Sequence, residues 1–149
     1  MAHNAKHVGS VTFSVKGQPV GKGRPRAFSA GGKIGMHTPR KTANYETHVR
    51  LAYQSAAQGR PPHDGPVGVS VYACCQAPKG MSKWLRALLP IPRTQKPDVD
   101  NVLKVVLDGL NGVAFKDDAQ VFDVRVLKHT AEGAGVCVQV VFYAAPSKP

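Results

Sequence analysis

The segment spanning residues 96–112 (KPDVDNVLKVVLDGLNG) combines an amphipathic helix pattern with aspartates at its start. Its apolar residues recur at helical spacing and predict a face that packs against a core. They are Val102, Leu103, Val106, Leu107 and Leu110. Asp100, Lys104 and Asp108 follow one another at intervals of four residues, so they share the opposite, charged face. The helix is expected to begin at Asp98 or Asp100 and to end at the Asn-Gly pair that closes the segment.

The rest of the chain predicts further strands and helices around this one. Strand-like segments, which alternate apolar and polar residues or are rich in β-branched residues, are residues 8–16, 67–75, 121–127 and 136–143. The other helices are predicted from a Thr38 N-cap, with Pro39 in the first turn, to about Gln58, and from Ser82 to Leu89. The order β-α-β-α-α-β-β predicts an α+β fold with a mixed sheet of about four strands and about three helices.

Two connections are predicted from their glycines. Residues 17–35, rich in Gly, Pro and basic residues, predict a long loop, which in a compact domain favours a functional role. Gly133 and Gly135 predict a turn that joins the last two strands in a hairpin. No repeat or interdomain linker is visible, so we expect one domain over residues 1–149 with an ordered core of about 8–144.

Charge is distributed unevenly along the chain. The formal net charge is +11, from 20 Lys and Arg against 9 Asp and Glu, yet six of the nine acids lie between Asp98 and Asp123. A strongly basic chain usually binds a polyanion, and carboxylates repel phosphate unless a divalent cation lies between them. The pattern therefore indicates a basic protein that binds nucleic acid and cuts it with a carboxylate-bound metal, although a high isoelectric point alone is also compatible with no polyanion partner.

The acidic residues at the start of the helix are candidate ligands of a hard cation. An extended entry would let Asp98 and Asp100 converge at the helix N-terminus, and Mg²⁺ in octahedral geometry would need a further carboxylate. The turn before the next strand offers Asp117 or Asp118, between which the sequence does not choose. Lys104 has two readings, as a group that touches the scissile phosphate or attacking water, or as a surface ion pair with the acid one turn later.

The combined pattern closely resembles the signature of the RusA family of Holliday junction resolvases, which are often encoded by bacteriophages and prophages. The matching segments are residues 96–104, 107–113 and 117–121. The resemblance extends over roughly residues 10–144 and includes the basic loop Lys22–Arg26 and the helix start at Thr38-Pro39. It implies a RusA-like fold and a homodimeric endodeoxyribonuclease that binds four-way or branched DNA and nicks two strands symmetrically with Mg²⁺, for which Mn²⁺ can substitute.

The resemblance also implies roles for individual residues. Asp98, Asp100 and Asp118 would be catalytic metal ligands, with Asp117 as the alternative to Asp118, and Lys104 would be the essential basic residue. We expect contacts to DNA backbone phosphates from a group of basic residues in the first part of the chain. These are Lys22, Arg24, Arg26, Lys33, Arg40 and Lys41. Phe28, His37 and Tyr45 could stack at a junction, but packing within the protein is the favoured reading for each.

Several other features bound the interpretation. No apolar run of eighteen residues or secretory signal is visible, so we expect no membrane association and a cytoplasmic location in a bacterium or a phage-infected host. We also expect no small-molecule cofactor. An aspartyl phosphatase is excluded because its Asp-x-Asp motif follows a buried strand, whereas residues 93–96 are polar. The alternative that stays open is a non-catalytic basic DNA-binding module, in which the acids serve as helix caps and surface ion pairs.

Overall fold

A five-stranded mixed sheet and two long helices form the body of the protein in a computed structural model, which describes residues 4–148. The elements in chain order are β1 (His7–Lys16), β2 (Arg26–Ala30), β3 (Lys33–His37), α1 (Arg40–Ala57), β4 (Val67–Gln76), α2 (Lys83–Arg86), β5 (Ile91–Pro92), α3 (Val99–Leu110), a 3₁₀ turn (Asp118–Gln120), β6 (Val121–Ala131) and β7 (Gly135–Tyr143). The predicted α+β class with a mixed sheet is confirmed, with one more strand in the main sheet than the four expected and a small second sheet.

The strand order in the main sheet is β1-β7-β4-β6-β5. β7 pairs antiparallel with both β1 and β4, β4 pairs parallel with β6, and β5 adds a two-residue antiparallel edge. β4 lies in the centre because its residues are mostly apolar or small, and every second side chain along it is a buried valine, alanine or cysteine that faces the core. The central strand of the sheet is therefore contributed by the middle of the chain.

The prediction that β6 and β7 form a hairpin is wrong, because β4 lies between them. The connecting residues 132–134 cross the end of β4 and span two strand spacings, roughly 10 Å, which three extended residues can cover. The glycines at positions 133 and 135 correctly indicated a tight connection, but they carry no information on which strand is the neighbour. The strong burial of β4 decides the pairing.

The prediction that residues 17–35 form a continuous loop is also wrong. β2 and β3 form a separate two-stranded hairpin, joined by Gly31 and Gly32, whose φ angles are +58° and +75°. A two-residue hairpin turn with positive φ at both positions is the geometry that a Gly-Gly pair adopts readily. The ring of Phe28 packs over Gly35 and against His37 at 5.8 Å between ring centroids, so both aromatic rings pack within the hairpin.

One face of the sheet carries the core. Along β1, Val11, Phe13 and Val15 are buried while the residues between them are exposed. α1 and α3 cover this face and contribute side chains that are fully buried in the same core, among them Val49, Tyr53, Val102, Val105, Val106 and Leu110. Gly109 lets the two helices approach closely, since a Cβ at this position would lie 2.8 Å from Val49 and 2.9 Å from the carbonyl oxygen of Glu46.

The helix ends differ in detail from the sequence prediction. Pro39, not Thr38, occupies the N-cap position of α1 and makes no side-chain capping hydrogen bond. α2 is a single turn, shorter than the helix expected at residues 82–89. Tyr45 on α1 is buried in the core, and burial raises the pKa of its hydroxyl to about 12, so it does not face the solvent as a stacking residue would. Within residues 4–148, no helix combines the length and the apolar character needed to cross a membrane.

Candidate active site

The N-terminus of α3 presents the two aspartates of the Asp-Val-Asp sequence. Asp98 is the N-cap, with extended backbone (φ −73°, ψ 150°) and no side-chain capping bond, and Asp100 lies in the first turn. This is the predicted arrangement of an extended entry followed by a helix start. The carboxylate of Asp98 instead accepts a hydrogen bond of 2.5 Å from the ammonium of Lys96. Both ends of this ion pair are solvent-accessible, so it holds the carboxylate only weakly.

Lys104 connects α3 to the turn before β6. Its ammonium lies 3.1 Å from a carboxylate oxygen of Asp108 and 3.1 Å from one of Asp118. Hydrogen bonds to Asp108 and Asp118 are the main reasons that the pKa of Lys104 is raised, against a smaller opposing effect of burial. The ion pair with Asp108 is the one expected from the spacing of four residues, whereas the contact with Asp118 joins groups that are distant in sequence. The side chain of Lys104 stays half exposed and therefore accessible to a ligand.

The turn at residues 116–120 separates the roles of its two aspartates. Asp117 accepts a hydrogen bond of 2.8 Å from the N–H of Ala119, so its carboxylate caps the 3₁₀ turn. Gln120 completes the cap through its side-chain oxygen, which accepts the N–H of Asp117 at 3.0 Å. The amide nitrogen of Gln120 donates to the carbonyl oxygens of His63 and Gly65, which fixes the turn to the preceding loop. With Asp117 used as a cap, it is the neighbouring carboxylate that points to Lys104.

A second lysine extends this group of charges into the protein. The ammonium of Lys22 lies 2.5 Å from Glu46 on α1 and 2.8 Å from Asp108 on α3. The Lys22 backbone N–H also donates to the carbonyl oxygen of Asn101 at 2.9 Å. These contacts form one continuous chain of ion pairs, which we call the ion-pair chain. Its members in order are Glu46, Lys22, Asp108, Lys104 and Asp118. It ties the loop after β1 to both long helices.

Along the ion-pair chain, the hydrogen bonds and neighbouring charges shift pKa values in the direction opposite to the effect of burial. Burial is the largest single influence on Lys22 and lowers its pKa, but the hydrogen bonds to Asp108 and Glu46 outweigh it, so that the pKa is raised. Burial likewise acts to raise the pKa of Asp108, and the hydrogen bonds from Lys22 and Lys104 reverse this and lower it. Each charged group is therefore stabilised by its neighbours. Glu46 was missed by sequence reasoning, although it is the lone acid among the first 60 residues and could have been noticed as such.

The predicted DNA-binding residues lie in four places. Arg24, Arg26 and Lys41 line a groove of about 560 Å³ beside the start of α3, together with Lys96. Arg40 begins α1 and Lys33 begins β3, and both are exposed. Lys22 lies in the ion-pair chain, and its side chain is only 20% exposed. The structure thus collects three of the six next to the aspartates and adds Lys96, which sequence reasoning did not include.

A divalent cation fits the donor chemistry of this site, since Asp98, Asp100 and Asp118 supply the oxygen ligands that Mg²⁺ prefers. The side chains of Asp98 and Asp118 are 46% and 34% exposed, so both can exchange a lysine partner for another cation. Across residues 4–148, however, no three His, Cys, Asp or Glu side chains lie close enough together to hold a metal. The structure places Asp98 and Asp100 on one helix turn and Asp118 beside Lys104, without gathering the three carboxylates around one point.

The fold and the site define a basic α+β protein in which carboxylates and a lysine meet along one face of a helix, beside a cationic groove. Comparison with known proteins agrees with this class. The Endodeoxyribonuclease RusA family matches residues 16–141, so the chain belongs to this family, as the sequence motifs suggested. The protein is also similar to the uncharacterized protein YqaN of Bacillus subtilis (strain 168), with 39% identity over 137 residues that cover 87% of this chain and 94% of the relative. The family is one of endodeoxyribonucleases, which indicates DNA as the substrate.

Proposed function

We propose that this protein is a Mg²⁺-dependent endodeoxyribonuclease that resolves four-way or branched DNA junctions by paired symmetric nicks, and that it acts as a homodimer in the cytoplasm. The observation that carries the proposal is the position of Lys104. It lies on the face of α3 that begins with Asp100, and its accessible ammonium contacts Asp118 in the 3₁₀ turn before β6. Family membership supports cleavage of DNA. Paired nicks and a dimer fit each other, because a two-fold assembly presents two equivalent sites to a two-fold substrate.

The three aspartates of the site have the proposed role of metal ligands. Asp98, Asp100 and Asp118 would hold Mg²⁺, with Mn²⁺ as a substitute. When bound, Mg²⁺ lowers the pKa of a coordinated water and neutralises charge on the phosphate. Asp118 is preferred over Asp117 because Asp117 caps the 3₁₀ turn, whereas Asp118 faces Lys104. Loss of the Asp117 carboxylate would affect the turn before it affected the reaction.

Lys104 has the proposed role of a donor to the scissile phosphate. A lysine is cationic at neutral pH and can stabilise negative charge that develops on phosphate oxygens. Its bonds to Asp108 and Asp118 hold the ammonium over the exposed face of α3. Asp108 in turn is held by Lys22, which is anchored by Glu46. We therefore assign Lys22 to supporting the site and the basic loop, in addition to its predicted role at the DNA backbone.

The groove lined by Arg24, Arg26, Lys41 and Lys96 is the proposed path of a DNA strand to the aspartates. Replacing Arg24 and Arg26 together by Ala should weaken junction binding and flatten the dependence of log Kd on log salt, by about one unit for each phosphate that the protein no longer neutralises. Binding measured by fluorescence anisotropy over a series of salt concentrations checks this. Replacement of Lys79 and Lys83 by Ala, which removes the same charge outside the groove lining, is the matched control. An equal slope for both double variants would remove the groove from the DNA interface.

The alternative of a non-catalytic DNA-binding module is favoured by two particular contacts. The carboxylate of Asp117 is a cap, and that of Asp98 forms a surface ion pair with Lys96. Both contacts are the uses of acidic residues that such a module would show. The module predicts junction binding without any strand cleavage, whatever divalent cation is present, and this difference separates the two functions.

A labelled mobile four-way junction provides the test of the proposed nuclease. We expect two symmetry-related nicks in the presence of Mg²⁺ and none with EDTA, and we expect no cleavage of a linear duplex of the same sequence. Strand-specific labels on each of the four arms show whether the nicks are paired. Binding of the junction without cleavage in Mg²⁺ or Mn²⁺ would favour the binding module, and equal cleavage of the linear duplex would contradict selectivity for junctions.

A further inference from the structure

Within residues 4–148, the outer edge of β6 has no partner strand over most of its length. β5 covers only His129 and Thr130, and the N–H of Arg93 adds one bond to the carbonyl oxygen of Lys128. Among the described residues, no strand pairs with the outer side of residues 121–127. The backbone groups of alternate residues in a strand point to the same side, so those of Val126 and Val124 point outward as that of Lys128 does. An edge of this kind is a template for pairing with another chain.

The side chains along this edge are unusually apolar for an exposed strand. Val124 is 42% exposed and Leu127 is 39% exposed. In the parallel pairing with β4, Val124 lies beside Val69 and Val126 beside Val71, and these two neighbours are fully buried in the core. The apolar core face of the sheet therefore continues onto β6, where Val124 is left exposed at the edge. Neither proline nor lysine, which commonly protect sheet edges, occurs between positions 121 and 127. The irregularity in the β4–β6 register at Val67 and Gly68 lies at the start of β6, and the pairing is regular from Asp123 onward.

The sequence of β6 is complementary to itself in one antiparallel register. With Val124 opposite Val124 of a second copy, Asp123 lies opposite Arg125 and Arg125 opposite Asp123. Both groups lie on the sheet face away from the core, and neither has an ion-pair partner among the side chains that the structure describes. Opposite charges directly across two strands stabilise the pairing.

Other registers with the same hydrogen-bonding pattern fit less well. Two residues that lie opposite each other can exchange hydrogen bonds only if the backbone groups of both point outward. Allowed registers therefore differ by a two-residue slide of one strand along the other. A shift that centres the pair on Arg125 places two guanidinium groups opposite each other, which repels the strands. A shift that centres it on Val126 places Arg125 opposite Leu127 and Asp123 opposite His129, where β5 already pairs with the edge. The register centred on Val124 is therefore the one that the side chains select.

We propose that the partner at this edge is a second copy of the chain, bound through antiparallel pairing of β6 with β6 about a two-fold axis at Val124. The two five-stranded sheets then become one continuous sheet of ten strands, and Val124 and Val126 extend the core across the axis. Asp118 lies six residues before Val124, so each candidate active site is at most roughly 20 Å from the axis. The proposal rests on the homodimer of the proposed function and names the surface that builds it.

Charge reversal across the axis tests this interface. Arg125→Asp places carboxylates opposite each other at two symmetric positions, and the dissociation constant of the dimer is expected to rise about tenfold or more. The double variant Asp123→Arg with Arg125→Asp has the same composition as the wild type and restores both opposite-charge pairs. It is expected to dimerise like the wild type. Sedimentation equilibrium over a range of concentrations measures both dissociation constants, and circular dichroism confirms that each variant is folded.

The outcomes separate the interface from the enzymatic proposal. An Arg125→Asp variant that dimerises as tightly as the wild type would overturn the pairing at β6, as would a wild type that is monomeric at all concentrations. A double variant that stays dissociated would overturn the register centred on Val124. Junction cleavage is measured on the same samples. If the double variant dimerises as predicted but neither it nor the wild type cuts a junction, the interface stands and the nuclease proposal fails.

Discussion

Replacement of Asp100 by Asn is expected to reduce junction cleavage at least about a hundredfold, while junction binding stays intact or becomes tighter. Asn keeps the size and much of the polarity of the side chain but removes the negative charge that a hard cation needs. Because Asp100 lies exposed in the first turn of α3, the change should have little effect on folding. Removal of a carboxylate beside the cationic groove also reduces repulsion of the DNA backbone. Single-turnover cleavage and a binding titration in Ca²⁺ measure the two effects separately.

The same loss is expected for Asp98→Asn and Asp118→Asn, and the structure supplies a matched control. Asp117→Asn changes the adjacent residue in the same turn, whose carboxylate caps the chain instead of facing Lys104. This variant should cut junctions at a rate close to that of the wild type, with a loss of stability of no more than about 1 kcal/mol, since Asn is also a good cap. Loss of cleavage in the Asp117 variant with normal cleavage in the Asp118 variant would reverse the assignment of the two residues.

The replacement of Gly109 by Ala is expected to lower the free energy of unfolding by about 1–3 kcal/mol. The added methyl group would overlap Val49, and the carbonyl oxygen of Glu46 lies too close on the other side, so that α1 and α3 must move apart. The better helix propensity of Ala, worth up to about 1 kcal/mol, offsets only part of this strain. Glu46 belongs to the ion-pair chain, so we also expect a reduced cleavage rate at temperatures where the variant remains folded.

Urea unfolding followed by circular dichroism measures the stability of the Gly109 variant. The control is Gly133→Ala, in the connection between β6 and β7, where an added Cβ meets no atom within 4 Å. That variant should unfold at the same urea concentration as the wild type. Equal stability of the Gly109 variant would show that the helices can separate without loss of packing, and that their close approach does not position the site.

The sequence predicted α3 and its two faces because apolar periodicity and four-residue spacing are local properties of a helix. Lys104 and Asp108 form the ion pair that their spacing indicates. The contact of Lys104 with Asp118 could be expected only in general terms. It depends on a turn that Gln120 ties to the loop near His63, and such a contact joins residues that are far apart in the chain. The choice between the two aspartates of that turn therefore required the structure.

The hairpin of β2 and β3 shows a different limit of sequence reasoning. All but one of the residues in its two short strands are exposed, so the strands lack the alternation of buried and exposed residues that marks a strand in a sheet with a core. The Gly31-Gly32 pair was the local signal that could have revealed the turn. The neighbour of β6 could not be read locally at all, because strand order depends on which segment is apolar enough to occupy the centre.

The pairing of β1 with β7 joins the two ends of the described chain. β4 also pairs with β7, so the central strand keeps one open side until residues near position 140 are available. During synthesis the ribosome must therefore release the chain as far as about residue 143 before these strands can pair. Contacts between segments so far apart slow folding, because a large loop must be ordered before they form. The nascent chain would consequently expose the apolar residues of β1 and β4 until β7 has left the ribosome.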